Sequence, residues 1–220
     1  MCCATRNSAG VTGVTAVSGA TGKLEGMRTD DGFVHAWTLP ADIAEDAWRP
    51  MHADIVRVLS AASRELEQHR SSDDLAILRG PEGYGHLRID PAEIAINGNA
   101  FLGQAAEKFA IERHARYGVI ARVGSADSRR TVRRCDTKGL PYDLAVCAAL
   151  LVVLRHMEDR VRIGTTGTIR SGWGRAAALV RTTIGDCGQL IQRESGTLRW
   201  TASSLGDQIT ERRRSGSSGL

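Results

Sequence analysis

Two patterns in the chain predict an α+β fold, a mostly antiparallel sheet packed with about three helices in a single domain. Short runs in which apolar residues alternate with polar or small ones recur along the middle of the sequence, the period of a strand with one buried face. Longer stretches with apolar residues at helical spacing are few, and they are not regularly interleaved with strands as a doubly wound sheet requires. The composition agrees, since 42% apolar and 25% charged residues in a chain of 220 belong to an ordinary globular protein with one sizeable core. Aromatics contribute only 5%, so the core must rest on Val, Ile, Leu and Ala.

Residues 1–29 are small and polar without a sustained period and read as a flexible leader, with Met27 an alternative start. The domain is placed at residues 30–202. Residues 203–220 end in Arg212-Arg213-Arg214 and a Ser/Gly run, a composition that cannot bury a core and predicts disorder. Within the domain, Phe33, His35, Trp37 and Leu39 alternate as a strand. A helix is expected over residues 46–69, where Met51, Ile55, Val58, Leu59, Ala62 and Leu66 form one stripe and Pro50 sits near the first turn.

Strands are then expected at 75–79, 87–89, 94–97, 108–113, 117–123 and 131–135, with Asn97-Gly98-Asn99 as a turn, together suggesting an antiparallel meander. Pro141 opens a helix to about residue 158 whose apolar centre implies burial on all sides. A strand at 161–165 precedes a third helix with Ser171 as N-cap and Gly185 as its stop. Residues 190–193 and 198–200 complete the domain as a hairpin.

The longest apolar run, Leu144 to Leu154, has eleven residues, short of the roughly 20 that span a bilayer, so no membrane partner is expected. Cys2, Cys3, Cys135, Cys147 and Cys187 form no C-x-x-C pair or even framework, which predicts free thiols in a reducing, cytoplasmic setting. The net charge of +4 permits polyanion binding without demanding it. Only Lys23, Lys108 and Lys138 are lysines, so nearly all the positive charge is arginine.

Arginines concentrate between Arg113 and Arg134. Arg122, Arg129, Arg130, Arg133 and Arg134 are the candidate nucleic-acid contacts, the last four placed on either side of a loop from which they would face a polyanion together. No helix-turn-helix, zinc-finger or RNP pattern accompanies them, so nucleic acid or an acidic host protein are the two partner classes considered. The bland alternative is a solvated sheet face partly neutralised by Glu112, Asp127 and Asp136.

Cofactor and metal motifs are absent, and none is expected. Val17-Ser18-Gly19-Ala20-Thr21-Gly22 resembles the glycine-rich turn of atypical short-chain dehydrogenases, but the third glycine falls one position late, at Gly26, and no amphipathic helix follows. The six histidines show no paired-ligand spacing, and no G-x-S-x-G elbow nominates a nucleophile. Cys147 reads as a small buried hydrophobe. A second reading of the chain, as a small enzyme, places a phosphate- or carboxylate-binding site at the 133–143 strand-to-helix junction. Lys138, Tyr142 and Asp143 are its catalytic candidates and Arg133 or Arg134 its anion clamps. The cheaper account gives Asp143 to the helix N-terminus and lets Tyr142 pack with its hydroxyl bonded.

The segment Cys135-Asp136-Thr137-Lys138-Gly139-Leu140-Pro141-Tyr142-Asp143 resembles a C-K-T-x-x-x-P-Y-D element of uncharacterised actinobacterial and actinophage proteins, which also precedes an apolar helix. Asn97-Gly98, Glu107 to Phe109, Thr165 to Gly167 and Trp173 to Ala176 are similar to further elements of that family in the same order. Asp136 stands where the family has lysine and Thr166 where it has aspartate. The resemblance implies a phage or actinobacterial setting and a shared fold, and names no activity. The sequence therefore reads as an accessory or interaction protein acting through its basic surface.

Overall fold

The computed structural model describes residues 33–68, 76–115, 119–122, 129–166, 172–185, 188–192 and 197–201. The expected leader, the whole of the expected tail, the Val17–Gly26 segment and the Ser171 cap lie outside the described residues. Among the described residues, three α-helices and two antiparallel sheets make an α+β fold. A six-stranded sheet runs in the order β6-β7-β1-β8-β10-β9, built from β1 (Val34–Pro40), β6 (Val119–Arg122), β7 (Arg129–Asp136), β8 (Arg162–Thr165), β9 (Gln189–Gln192) and β10 (Thr197–Thr201). A smaller sheet centres on β4 (Glu93–Gly98), flanked by β2 (Leu78–Arg79) and β3 (Arg88–Asp90) on one edge and β5 (Phe109–Glu112) on the other.

The meander expected for the central strands holds in two pieces, β3-β4-β5 and β6-β7, each paired antiparallel in chain order, and breaks between β5 and β6. Strands β2 to β5 form their own sheet, while β7 keeps β6 on one edge and pairs β1 on the other, Val34 opposite Asp136 through Pro40 opposite Arg130. The Asn97-Gly98-Asn99 turn also shifts. Asn97 and Gly98 remain in β4, paired with Arg79 and Leu78, and the chain turns only at Asn99, whose side chain accepts from the Phe101 N–H to start a 3-10 turn. The strand expected at 75–79 contracts to the two residues of β2.

Helix α1 (Glu45–Gln68) starts with Glu45 and Asp46, carboxylates that suit a positive helix end, and carries Pro50 one turn in, just past the expected first-turn position, where it leaves the Asp46 carbonyl without its helical N–H donor. Its stripe from Trp48 to Leu66 is buried. Helix α2 (Asp143–Met157) is buried nearly all round, with only Arg155 and His156 partly exposed, because α1 and α3 (Gly174–Ile184) pack on it and the large sheet backs it. Gly185, at φ +91°, ends α3 in a conformation open to glycine. Trp48 Nε1 donates to the Pro91 carbonyl at 2.6 Å and ties α1 to the small sheet. One apolar core joins both sheets and all three helices.

The sheet pleat fixes two faces for the large sheet. His35, Trp37, Leu39, Thr131, Cys135, Ile163, Thr165 and Leu198 share the face toward the helices and are buried. Ala36, Thr38, Arg130, Val132, Arg134, Arg162, Gly164 and Arg199 fall on the other.

Candidate functional site

At the strand-to-helix junction the three catalytic candidates differ in burial. Tyr142 is fully buried, and its hydroxyl donates to the Glu107 carbonyl at 2.8 Å. Burial and the neighbouring Cys135 hold its phenol well above the ordinary range, so it stays protonated. Lys138 is exposed at φ +52°, on a turn whose N–H groups Asp136 helps to bind. Asp143 is buried and faces inward. The three candidates therefore do not converge on a common point, because the turn projects Lys138 into solvent while the start of α2 draws Tyr142 and Asp143 into the core.

Asp143 instead joins a buried polar cluster with residues the sequence keeps far apart. His35, 108 positions earlier on β1, meets Asp143 Oδ1 through Nε2 at 2.8 Å. The other ring nitrogen, Nδ1, lies 3.1 Å from Thr165 Oγ1. Thr137 donates its hydroxyl to Asp143 Oδ1 at 2.5 Å. Cys147 Sγ, one helical turn after Asp143, lies 3.6 Å from Asp143 Oδ2 and 3.8 Å from His35 Nε2. Trp173 seals the cluster, its ring edge-on to His35 at 5.3 Å and its Nε1 directed at Thr165 Oγ1 at 3.4 Å. Burial, reinforced by the Asp143 carboxylate, raises the Cys147 thiol well above its usual range. A neutral thiol with no exposed surface is no nucleophile.

Sequence reading missed this cluster, although one signal pointed to it. His35 occupies the buried parity of β1, and Asp143 and Cys147 lie four apart in a helix that is apolar on every side. A polar group in such positions must find a partner.

The candidate arginines are separated by the strand they share. Arg129, Arg130, Arg133 and Arg134 all lie within β7 and not around a loop, so alternation splits them between faces. Arg133 points toward the helix side and is partly buried, bonded to Glu112 of β5 at 2.5 Å. Arg129 falls on that same side, and Arg122 on β6 is its register partner. Arg130 and Arg134 fall on the opposite side. Arg130 Nη1 donates to the Arg160 carbonyl at 3.0 Å, and exposed Arg134 lies 3.5 Å from Glu107 and 3.7 Å from Asp136.

Two arginines that the sequence reading did not single out join them. Arg162 on β8 pairs in register with Thr38, and Arg199 on β10 follows Leu198, the partner of Ile163. Both are exposed, and neither has an ion-pair partner among the described residues. The signal was available in each case, since each arginine neighbours a buried aliphatic residue in a strand. Between Arg134 and Arg162 the floor of the sheet is formed by Ala36 and Gly164, which are in register with each other and buried. The result is a face with small residues at its centre and guanidinium groups on three strands.

No family model, curated protein or solved structure matches the chain. Among the described residues, no helix is long and apolar enough to cross a membrane.

Proposed function

We propose that the chain binds nucleic acid through the open face of the six-stranded sheet. The observation that carries this reading is the placement of Arg130, Arg134, Arg162 and Arg199 on that one face, opposite the face that packs on the helices. Neighbouring strands lie about 5 Å apart, so β7 and β8, two strands apart, set guanidinium groups about 10 Å from one another before their long side chains reach out. Among the described residues, the ion pairs made by these four arginines are those of Arg134 with Glu107 and Asp136. Arg162 and Arg199 are free to neutralise phosphates and release counterions.

The side chains described on this face include no aromatic ring, and stacking on unpaired bases relies on such rings. Binding through guanidinium groups alone suits the regular phosphates of a duplex, held without sequence preference.

Fluorescence anisotropy with short double- and single-stranded DNA and RNA, over a range of salt concentrations, tests the reading. The expected result is duplex binding that weakens steeply with salt, and that Arg162→Ala with Arg199→Ala weakens further. The double variant should lower the salt slope by about 2, one unit for each phosphate that is no longer neutralised. Absence of binding at low salt, or binding that the double variant leaves unchanged, contradicts it and turns attention to an acidic protein partner.

A further inference from the structure

We propose that His35 Nε2, an Asp143 carboxylate oxygen and the Cys147 sulfur bind one divalent transition-metal ion, zinc by preference, which pins β1 to the first turns of α2. This goes beyond the arginine face, which lies on the other side of the sheet.

The three donor atoms lie within 4.8 Å of one another and all three residues are buried. Zinc bonds of about 2.0 Å to nitrogen or oxygen and about 2.3 Å to sulfur put neighbouring ligand atoms of a tetrahedral site about 3.3 to 3.6 Å apart. His35 Nε2 and Cys147 Sγ are 3.8 Å apart, and the Asp143 carboxylate approaches the two through different oxygens, Oδ1 at 2.8 Å from Nε2 and Oδ2 at 3.6 Å from Sγ, so a small rotation of the carboxylate brings one oxygen to the ion. The imidazole–carboxylate edge alone must open, by about half an ångström on the same geometry. Mixed nitrogen, oxygen and sulfur donors suit zinc better than the hard cations, which prefer oxygen alone.

The surroundings fit as well. A metal-bound histidine is oriented through its other ring nitrogen, and Thr165 holds Nδ1 here. A ligating carboxylate is steadied by a further donor, and Thr137 supplies one to Asp143. Charge also closes. When the ion enters, the Cys147 S–H bond breaks, sulfur keeps the electron pair for the metal and the proton leaves to solvent. One thiolate and one carboxylate then neutralise a divalent cation, so the core holds no net charge. With three protein ligands the fourth tetrahedral position falls to a small ligand such as water, and burial keeps larger molecules from it, so the ion serves to hold the fold.

The test uses the full chain, stripped with a chelator and titrated with cobalt(II) alone. One equivalent should produce the intense visible bands of a tetrahedral site and a thiolate charge-transfer band, and zinc should displace both. Zinc should also raise Tm in the native protein, because a ligand that binds only the folded state stabilises it. Cys147→Ser should lose the charge-transfer band and the Tm rise. A companion variant with Cys2, Cys3 and Cys187 all changed to serine should keep both, and it decides the matter if Cys147→Ser does not fold. The proposal is overturned by a wild-type protein that gives no such bands at saturating cobalt. It is equally overturned by bands that survive Cys147→Ser, or that vanish in the triple variant.

Discussion

Arg133 and Arg134 are neighbours in sequence with opposite environments. Arg133 lies against Glu112 between two sheets, whereas Arg134 is exposed on the open face. Arg133→Ala should therefore remove one charged hydrogen bond from the half-buried Glu112 carboxylate and cost about 1 kcal/mol of stability, measured by urea unfolding, without weakening nucleic-acid binding. Arg134→Ala should do the reverse. Cys135 is a second residue whose setting decides its chemistry. Burial and the nearby Glu107 carboxylate push its thiol up to about 12, and its Sγ donates to the Glu107 carbonyl. Alkylation at pH 8 followed by peptide mapping should leave Cys135 unmodified in the folded protein and label it after denaturation, since only thiolate reacts. A native Cys135 that reacts as fast as the unfolded one would refute this setting.

Among the elements, α1 and α2 are linked near their solvent edge by Asp54, which pairs with His156 at 2.8 Å and with Arg57. Burial alone would raise the Asp54 carboxyl, but the Arg57 and His156 hydrogen bonds outweigh it and hold the group below its ordinary range. A carboxyl lowered by folding contributes stability above its unfolded pKa, about 3.9, and loses that contribution as pH falls through the folded value. Asp54→Asn should flatten the loss of stability below about pH 4 in acid unfolding curves, relative to the native chain. Strand β4 offers a sharper steric test. A Cβ on Gly98 would sit 1.7 Å from the Gln104 carbonyl oxygen, which is backbone and cannot move aside cheaply. Gly98→Ala should cost more than about 3 kcal/mol or prevent folding, read by circular dichroism and thermal melting.

These elements show what the sequence could and could not reveal. The stripe of α1, the all-round apolar character of α2 and the alternation of β1 are local patterns, and each element formed within a residue or two of its expected bounds. Pairing is not local. Nothing near β7 announces that its second edge will pair with β1, about a hundred residues earlier in the chain, so the break of the meander between β5 and β6 could not be foreseen. The same limit governed the sites. Arg130 and Arg134 could be found from charge density, but their separation from Arg129 and Arg133 needed the strand's register. Arg162 and Arg199 needed the sheet order, and the meeting of His35 with Asp143 and Cys147 needed the packing of α2 on β1.

At the level of the molecule, the large sheet divides two kinds of chemistry. Its inner face meets the helices and holds the His35 cluster within the core, while its outer face gathers four arginines around Ala36 and Gly164. The account stands or falls on that division. Its most direct measurement compares duplex DNA affinity, at a series of salt concentrations, for the native chain and two folded variants. One carries Arg130, Arg134, Arg162 and Arg199 changed to alanine, and the other Arg129 and Arg133. The account predicts that the first variant loses most of its affinity and salt dependence while the second binds like the native chain. Equal losses in both variants, or a larger loss in the second, would contradict it.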